Sequence, residues 1–173
     1  MSVKDTDKGM QKIIGNFAKT NGMVVAIGHF SDSGKTKDGE IALAELMATH
    51  EFGSKKRNIP ARPVYQTTFH DYAIKIHKTI AKLWAMALAG KISPYVAAKR
   101  IGLLYEGLLK EQFTKRRFAR LSPNYKKRPS GAAVTPDSTP LVDTATLRNA
   151  IKSKVQYGST TFVDAMFNAK GGK

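Results

Sequence analysis

The chain has 173 residues, 42% of them apolar, which is enough for one domain with a buried core and too hydrophobic for disorder throughout. It contains no cysteine, which excludes disulfides, thiolate nucleophiles and zinc–sulfur sites and fits a reducing cytosol or a particle assembled in one. Lys and Arg outnumber Asp and Glu by 29 to 13, a net charge of +16, and such an excess points to an acidic partner, whether nucleic acid, an acidic protein surface or anionic lipid. The first residues carry no apolar h-region of a signal peptide. No apolar run approaches the roughly 20 residues of a membrane span.

Residues 5–20 place Met10, Ile13, Ile14 and Phe17 at i, i+3, i+4, i+7, the spacing of an amphipathic helix, and Asn21-Gly22 is a fitting stop. Residues 23–30 are β-branched and apolar and predict a strand. The stretch Gly28-His29-Phe30-Ser31-Asp32-Ser33-Gly34-Lys35-Thr36 then resembles a phosphate-binding P-loop. The spacing rejects it: the position that needs the first glycine is His29, and Lys37-Asp38-Gly39 delays the following helix to about Glu40. The stretch therefore reads as a solvated loop. Ser31, Asp32, Lys35 and Lys37 are its candidate contacts with a neighbouring subunit. Residues 40–50 return to helical spacing, with Ile41, Ala44, Leu46 and Ala48 available for burial, His50 near the end and Gly53 as the stop.

Residues 55–63 form an extended loop in which Pro60 and Pro63 bias Ile59 and Arg62 toward extended dihedrals. The longest helix follows, at about 66–89, with Ile76, Ile80, Leu83, Trp84 and Ala87 on one stripe and Lys75, Lys78 and Lys82 on another. Gly90 ends it. Ser93-Pro94 opens the next helix with an N-cap and a first-turn proline, and Ala97, Ile101, Leu104, Tyr105 and Leu108 give it a matching apolar face. The two helices make an antiparallel hairpin. From Arg117 to Pro140 the pattern collapses into Pro123, Pro129, Pro136 and Pro140 among small and basic residues, a long irregular arm. Thr144 is the expected N-cap of a short turn through Leu147. Residues 151–157 alternate apolar and polar residues and predict a half-buried strand able to pair with 23–30. The fold class is α+β: a small antiparallel or mixed sheet packed by a long α-helical hairpin, with an extended basic Pro-rich arm. Residues 1–157 read as one domain, with the basic loop at about 117–140, and residues 158–173 as a tail.

Converging titratable groups are scarce. His50-Glu51 lacks the second histidine of a zinc helix, since position 54 is Ser54. His70 and His77 lie two turns apart without a third ligand in register. Asp71 and Asp143 have no partner carboxylate at catalytic spacing. No serine sits in a nucleophile elbow. The expectation is a non-enzyme with no cofactor and no metal. The basic charge is local: residues 110–128 hold Lys110, Lys115, Arg116, Arg117, Arg120, Lys126, Lys127 and Arg128 against Glu111. Lys55-Lys56-Arg57 with Arg62 is a second cluster. The acids lie mainly in the first 51 residues. Phe118 and Tyr125 interleave with the arm's cations, a pattern compatible with phosphate contacts and base stacking and equally with aromatics that cover the edge of a core. A basic nucleic-acid-binding protein with an α+β core is therefore one reading.

Three stretches carry another. Ala48-Thr49-His50-Glu51-Phe52-Gly53, then Asn58-Ile59-Pro60-Ala61-Arg62-Pro63, then residues 140–151, P-L-V-D-T-A-T-L-R-N-A-I, occur in this order with a helical hairpin between the second and third. Together they resemble the tail-completion, or head–tail joining, proteins of tailed bacteriophages, also described as neck or virion morphogenesis proteins. The resemblance spans about residues 20–157. It implies a structural role without catalysis, in a ring, usually hexameric, at the neck of a virion assembled in the host cytoplasm. The implied partners are further copies of the chain, the capsid connector or adaptor, and the tail terminator or tail tube proteins. DNA is a further candidate contact, and no membrane is involved. On this reading Ile59, Pro60, Arg62 and Pro63 form a rigid docking loop, and Arg116, Arg117, Arg120, Lys126, Lys127 and Arg128 are charged contacts of the arm.

Overall fold

The computed structural model describes residues 8–36, 39–115, 118, 133 and 145–157. In chain order its elements are α1 (Lys8–Ala18), β1 (Met23–Gly28), α2 (Leu43–Phe52), α3 (Val64–Leu88), α4 (Pro94–Gln112), α5 (Thr146–Asn149) and β2 (Lys152–Tyr157). The architecture is α+β, with β1 and β2 in a two-stranded antiparallel sheet packed against the α3–α4 hairpin. The turn between the two helices is written into four residues. Gly90 takes φ +72, and the amides of Gly90 and Lys91 donate to the carbonyls of Ala87 and Met86, which closes the exposed end of α3. Ser93 Oγ then accepts the Val96 amide at 3.2 Å, and Pro94 starts α4. The arm expected at about 117–140 lies outside the described residues, apart from Phe118 and Ala133, as does the tail.

The described residues divide into two compact units. The first comprises residues 8–26, 74–104 and 153–157. Its core joins Leu83 and Ala87 of α3 to Ala97 and Ile101 of α4, with Ile80, Trp84 and Ile92 packed against them. The α3 stripe expected from spacing is thus the buried one, and Lys75, Lys78 and Lys82 are exposed. A Cβ on Gly102 would stand 2.8 Å from the Ser153 side chain and 3.3 Å from that of Val25. A mid-helix glycine lets α4 lie against the sheet at a distance no other residue permits.

Helix α1 departs from expectation. Its apolar stripe faces solvent: Met10, Ile13, Ile14 and Phe17 are 53%, 43%, 59% and 67% exposed. What faces the unit is the polar edge. Asn16 Nδ2 donates to the Ala87 and Leu88 carbonyls, each at 3.3 Å, and a Cβ on Gly90 would stand 2.5 Å from Lys12 Cε. These groups meet the carbonyl end of α3, where donors and positive charge are favoured.

The second unit comprises the described parts of 27–73 and 105–152. Leu43 and Met47 of α2, Val64 of α3, Leu109 and Phe113 at the end of α4, and Leu147, Ala150 and Ile151 share one core. The buried face of α2 is therefore Leu43–Met47–Glu51, and Ala48, expected inside, is exposed. Helix α2 also starts later than expected, because residues 35–36 pair with residues 41–42 first. Lys35 and Ala42 pair as an antiparallel bridge, Thr36 donates its amide to Ile41 at 2.8 Å, and Thr36 Oγ1 accepts the Ile41 amide at 3.1 Å. At the far end, α5 is capped by Ala145 in the left-handed region, φ 55, without a side-chain cap. The expected cap, Thr144, lies outside the described residues.

Candidate functional site

The residues between α2 and α3 build one junction in the second unit. Glu51 is buried, and its two carboxylate oxygens accept the Tyr65 and Gln66 amides, each at 3.0 Å. A carboxylate from the end of one helix thus serves the first turn of the next, where free N–H groups and the helix dipole favour negative charge. Gly53 makes the approach possible. At φ +73 it is in a region that side chains avoid, and a Cβ there would stand 2.8 Å from the Ala61 nitrogen and 2.9 Å from the Ile59 oxygen.

Between them the chain doubles back. Ser54 and Ile59 exchange both backbone hydrogen bonds at 2.9 Å, and the Asn58 amide donates to Lys55 at 3.2 Å. Asn58 adopts φ 51, which asparagine tolerates better than most residues. The extended loop expected here is therefore a hairpin whose tip presents Lys55, Lys56 and Arg57 to solvent. Pro60 is exposed, Ile59 and Pro63 are half-buried, and Arg62 is 4% exposed. Arg62 was expected as a surface contact. Its backbone instead donates to the His50 carbonyl at 2.6 Å, and burial lowers the guanidinium pKa. Burial, reinforced by the Arg62 charge, pushes the His50 imidazole down to about 4. His50 Nδ1 is a buried atom with no hydrogen-bond partner.

A second polar link crosses the same unit. Tyr65 Oη lies 2.6 Å from His29 Nδ1, and His29 Nε2 lies 2.7 Å from the Leu147 carbonyl. The carbonyl can only accept, so Nε2 carries the proton, Nδ1 accepts from the tyrosine, and the imidazole is neutral. Burial lowers the His29 pKa and raises that of Tyr65, which holds both in these forms. Gly28 admits the phenol, since a Cβ there would stand 3.0 Å from Tyr65 Oη. The dyad joins the residue after β1 to α3 and α5. No sequence signal marked Tyr65 or His29 as a pair 36 residues apart.

The residues resembling a P-loop form one short 3-10 helix, Ser31–Ser33, and do not lead directly into an α-helix, since α2 starts at Leu43. Phe30 donates its amide to Ser33 Oγ at 2.7 Å, Ser33 reaches the Ala150 carbonyl at 3.4 Å, and the Leu43 amide donates to Gly34 at 3.0 Å. Ser31, Asp32 and Lys35 are exposed. Lys37 lies outside the described residues, as do Arg116, Arg117, Arg120, Lys126, Lys127 and Arg128. Where the basic run begins, its charge is partly compensated. Lys110 pairs with Glu106 at 2.6 Å, and Lys115 pairs with Glu111 at 3.3 Å and also donates to Tyr72 Oη. Phe118 is half-buried against the core of the second unit, where it covers apolar surface.

Among the described residues the acids fall in one unit, which also carries nine Lys and Arg. Every Asp and Glu of the described residues belongs to the second unit: Asp32, Glu40, Glu45, Glu51, Asp71, Glu106 and Glu111. The described part of the first has none, against ten Lys and Arg, among them Lys12, Lys19, Lys75, Lys78 and Lys82. Among the described residues no three His, Asp or Glu side chains gather as a metal site, and no helix is long and apolar enough to cross a membrane. Comparison of the chain with protein-family models, with characterised proteins and with solved structures finds no match.

Proposed function

We propose that the chain is a structural virion protein of a tailed bacteriophage, which forms a ring in the neck and joins or completes the tail at the capsid connector. The observation that carries this reading is the common destination of the three separate motifs. Glu51 of the first holds the amides of α3, which the second motif leads into, and Gly53 meets Ala61 of the second. Leu147, Ala150 and Ile151 of the third share a core with Val64, the residue after the second. Motifs that meet in one junction behave as parts of a single scaffold, and the ordered set is what the resemblance rests on. The exposed hairpin tip Lys55–Arg57, with Ile59, Pro60 and Pro63 as its rigid base, and the exposed Ser31, Asp32 and Lys35 are the docking elements. The connector or adaptor, the tail terminator or tube proteins and further copies of the chain are the partners. Cryo-electron microscopy of intact particles tests the reading: the expected result is neck density that fits this chain, and its absence from purified particles overturns the proposal.

A second reading, a basic nucleic-acid-binding protein, has in its favour the first unit, whose described residues hold ten Lys and Arg and no acid. It requires submicromolar affinity for duplex DNA at about 0.15 M salt, falling steeply as salt rises. Titration of labelled duplex decides it, and no binding at that salt removes it.

A further inference from the structure

The described residues include the asparagines Asn16, Asn21, Asn58 and Asn149. Three of these are held. The Asn16 side chain donates to the Ala87 and Leu88 carbonyls, and the residue lies within α1. The amide that follows Asn58 belongs to Ile59 and donates to Ser54 at 2.9 Å. The amide that follows Asn149 belongs to Ala150 and donates to Thr146 at 2.9 Å. Asn21 is different. Both it and Gly22 are exposed, in the turn between α1 and β1. The Asn21 backbone amide donates to Ala18 at 3.2 Å and the Met23 amide to Thr20 at 3.0 Å, bonds that leave out the Asn21 side chain and the Gly22 amide. Among the described residues neither of those two groups has a hydrogen-bond partner.

We propose that Asn21-Gly22 is a site of self-modification, at which the chain deamidates itself through a succinimide. The Gly22 backbone nitrogen, having lost its proton to solvent base, attacks Asn21 Cγ. A C–N bond forms there, the bond from Cγ to the side-chain nitrogen breaks, and that nitrogen leaves as ammonia with a proton returned by water. Water then opens the ring at one of its two carbonyls. One opening gives aspartate. The other gives isoaspartate, in which the main chain runs through the side-chain carbon. Water is the sole co-reactant, and nothing is oxidised or reduced. The fold leaves this step unhindered. Gly22 has no Cβ to crowd its nitrogen as the ring closes, and its φ of +68 favours glycine at the position. Exposure gives water access to both residues. The Gly22 nitrogen breaks no hydrogen bond in order to react, whereas those of Ile59 and Ala150 must. Either product places a carboxylate just past the carbonyl end of α1, where the Thr20 amide and hydroxyl both donate to Phe17, at 2.9 and 2.7 Å. Negative charge is unfavourable at that end of a helix, and isoaspartate also lengthens the α1–β1 link by a carbon. The modification does not depend on the virion role.

The test is timed incubation of the full chain in neutral buffer made with heavy-oxygen water, native and in guanidinium chloride, followed by peptide mass spectrometry. The expected result is a growing fraction converted at Asn21, with aspartate and isoaspartate forms resolved by chromatography and heavy oxygen in both. Native Asn21 should convert roughly tenfold faster or more than Asn58 and Asn149, a barrier difference of about 1.4 kcal/mol. Its native rate should stay close to its rate in denaturant, because the fold does not hold the reacting groups. The rate should rise from mildly acidic to mildly alkaline buffer, since the attacking nitrogen must lose its proton. Gly22→Ala should slow the reaction by crowding that nitrogen. Because alanine is strained at this φ, Asn21→Gln is the second variant: it keeps the turn glycine, needs a larger ring, and should leave the peptide unconverted. Circular dichroism checks that both variants are folded. Native Asn21 that converts no faster than Asn58 and Asn149 overturns the proposal. So does conversion confined to the denatured chain, which would show that the fold protects the site, and so does a product without heavy oxygen.

Discussion

Gly53 and Tyr65 show how much single side chains decide here. At Gly53 two costs coincide, a φ of +73 and backbone atoms at 2.8 and 2.9 Å from any Cβ. Gly53→Ala should therefore destabilise the chain by about 2–4 kcal/mol, read as a lower denaturation midpoint in urea with an unchanged slope. A cost below measurement error would mean that the hairpin base yields. Tyr65→Phe removes the donor to His29 Nδ1 and leaves a buried acceptor without its partner, a loss of about 1–2 kcal/mol. Thermal melts of the variant and of His29→Phe/Tyr65→Phe should show that the double variant loses less than the sum of the singles. The sequence marked Gly53 as a helix stop, which it is. It gave no sign that the glycine also admits a second strand of backbone, because that requirement comes from Ile59 and Ala61 and exists only once the chain has turned back.

Among the elements, α3 owes its start to α2. Its first amides find their acceptor in Glu51, a residue of another helix, rather than in a local cap. Glu51→Ala should cost about 1–3 kcal/mol. Hydrogen exchange gives the sharper reading: protection at the Tyr65 and Gln66 amides should fall more than protection in the middle of α3. Uniform loss along the helix would show that Glu51 acts through general packing instead. The α3–α4 turn, by contrast, was legible residue by residue, since Gly90, Ser93 and Pro94 act on their immediate neighbours. Helix α1 divides the two cases. Its period was plain in Met10, Ile13, Ile14 and Phe17, but a period identifies an apolar face without saying what covers it. Asn16 and the end of α3 decide that the stripe points outward.

For the whole chain, the two half-buried imidazoles set a pH dependence. Burial lowers the pKa of both His29 and His50 below the ordinary 6.5, with His50 at about 4. Above 6.5 both are neutral in the folded and unfolded states, and their neutral burial contributes in full. As pH falls from 6.5 toward about 4, the unfolded chain takes up protons that the folded chain refuses, so stability is lost. His50 alone accounts for on the order of 3 kcal/mol across that window. A stability–pH profile from chemical denaturation should therefore drop through this range, and the drop should shrink in His50→Gln. An identical acid limb in the variant would assign the loss to the carboxylates. Charge at this scale was only half legible. The excess of 29 Lys and Arg over 13 Asp and Glu is plain in the sequence. The acid-free composition of the described first unit is not, because that unit is assembled from three distant stretches of chain.

Composition, periodicity and turn chemistry by themselves determined the α+β class, the helical hairpin with its buried stripe, the two pairing strands and the rejection of the P-loop. All of these rest on interactions within a few residues or on patterns that a half-buried element must carry. Tertiary structure alone decided that Arg62 is inside, that Lys55–Arg57 rather than Arg62 are the exposed cations of the hairpin, that Glu51 caps a helix it does not belong to, and that α1 shows its apolar face to solvent. The reason is the same in each case. Burial of a charge or exposure of an apolar stripe depends on what arrives from elsewhere in the chain, and no local pattern records the neighbour.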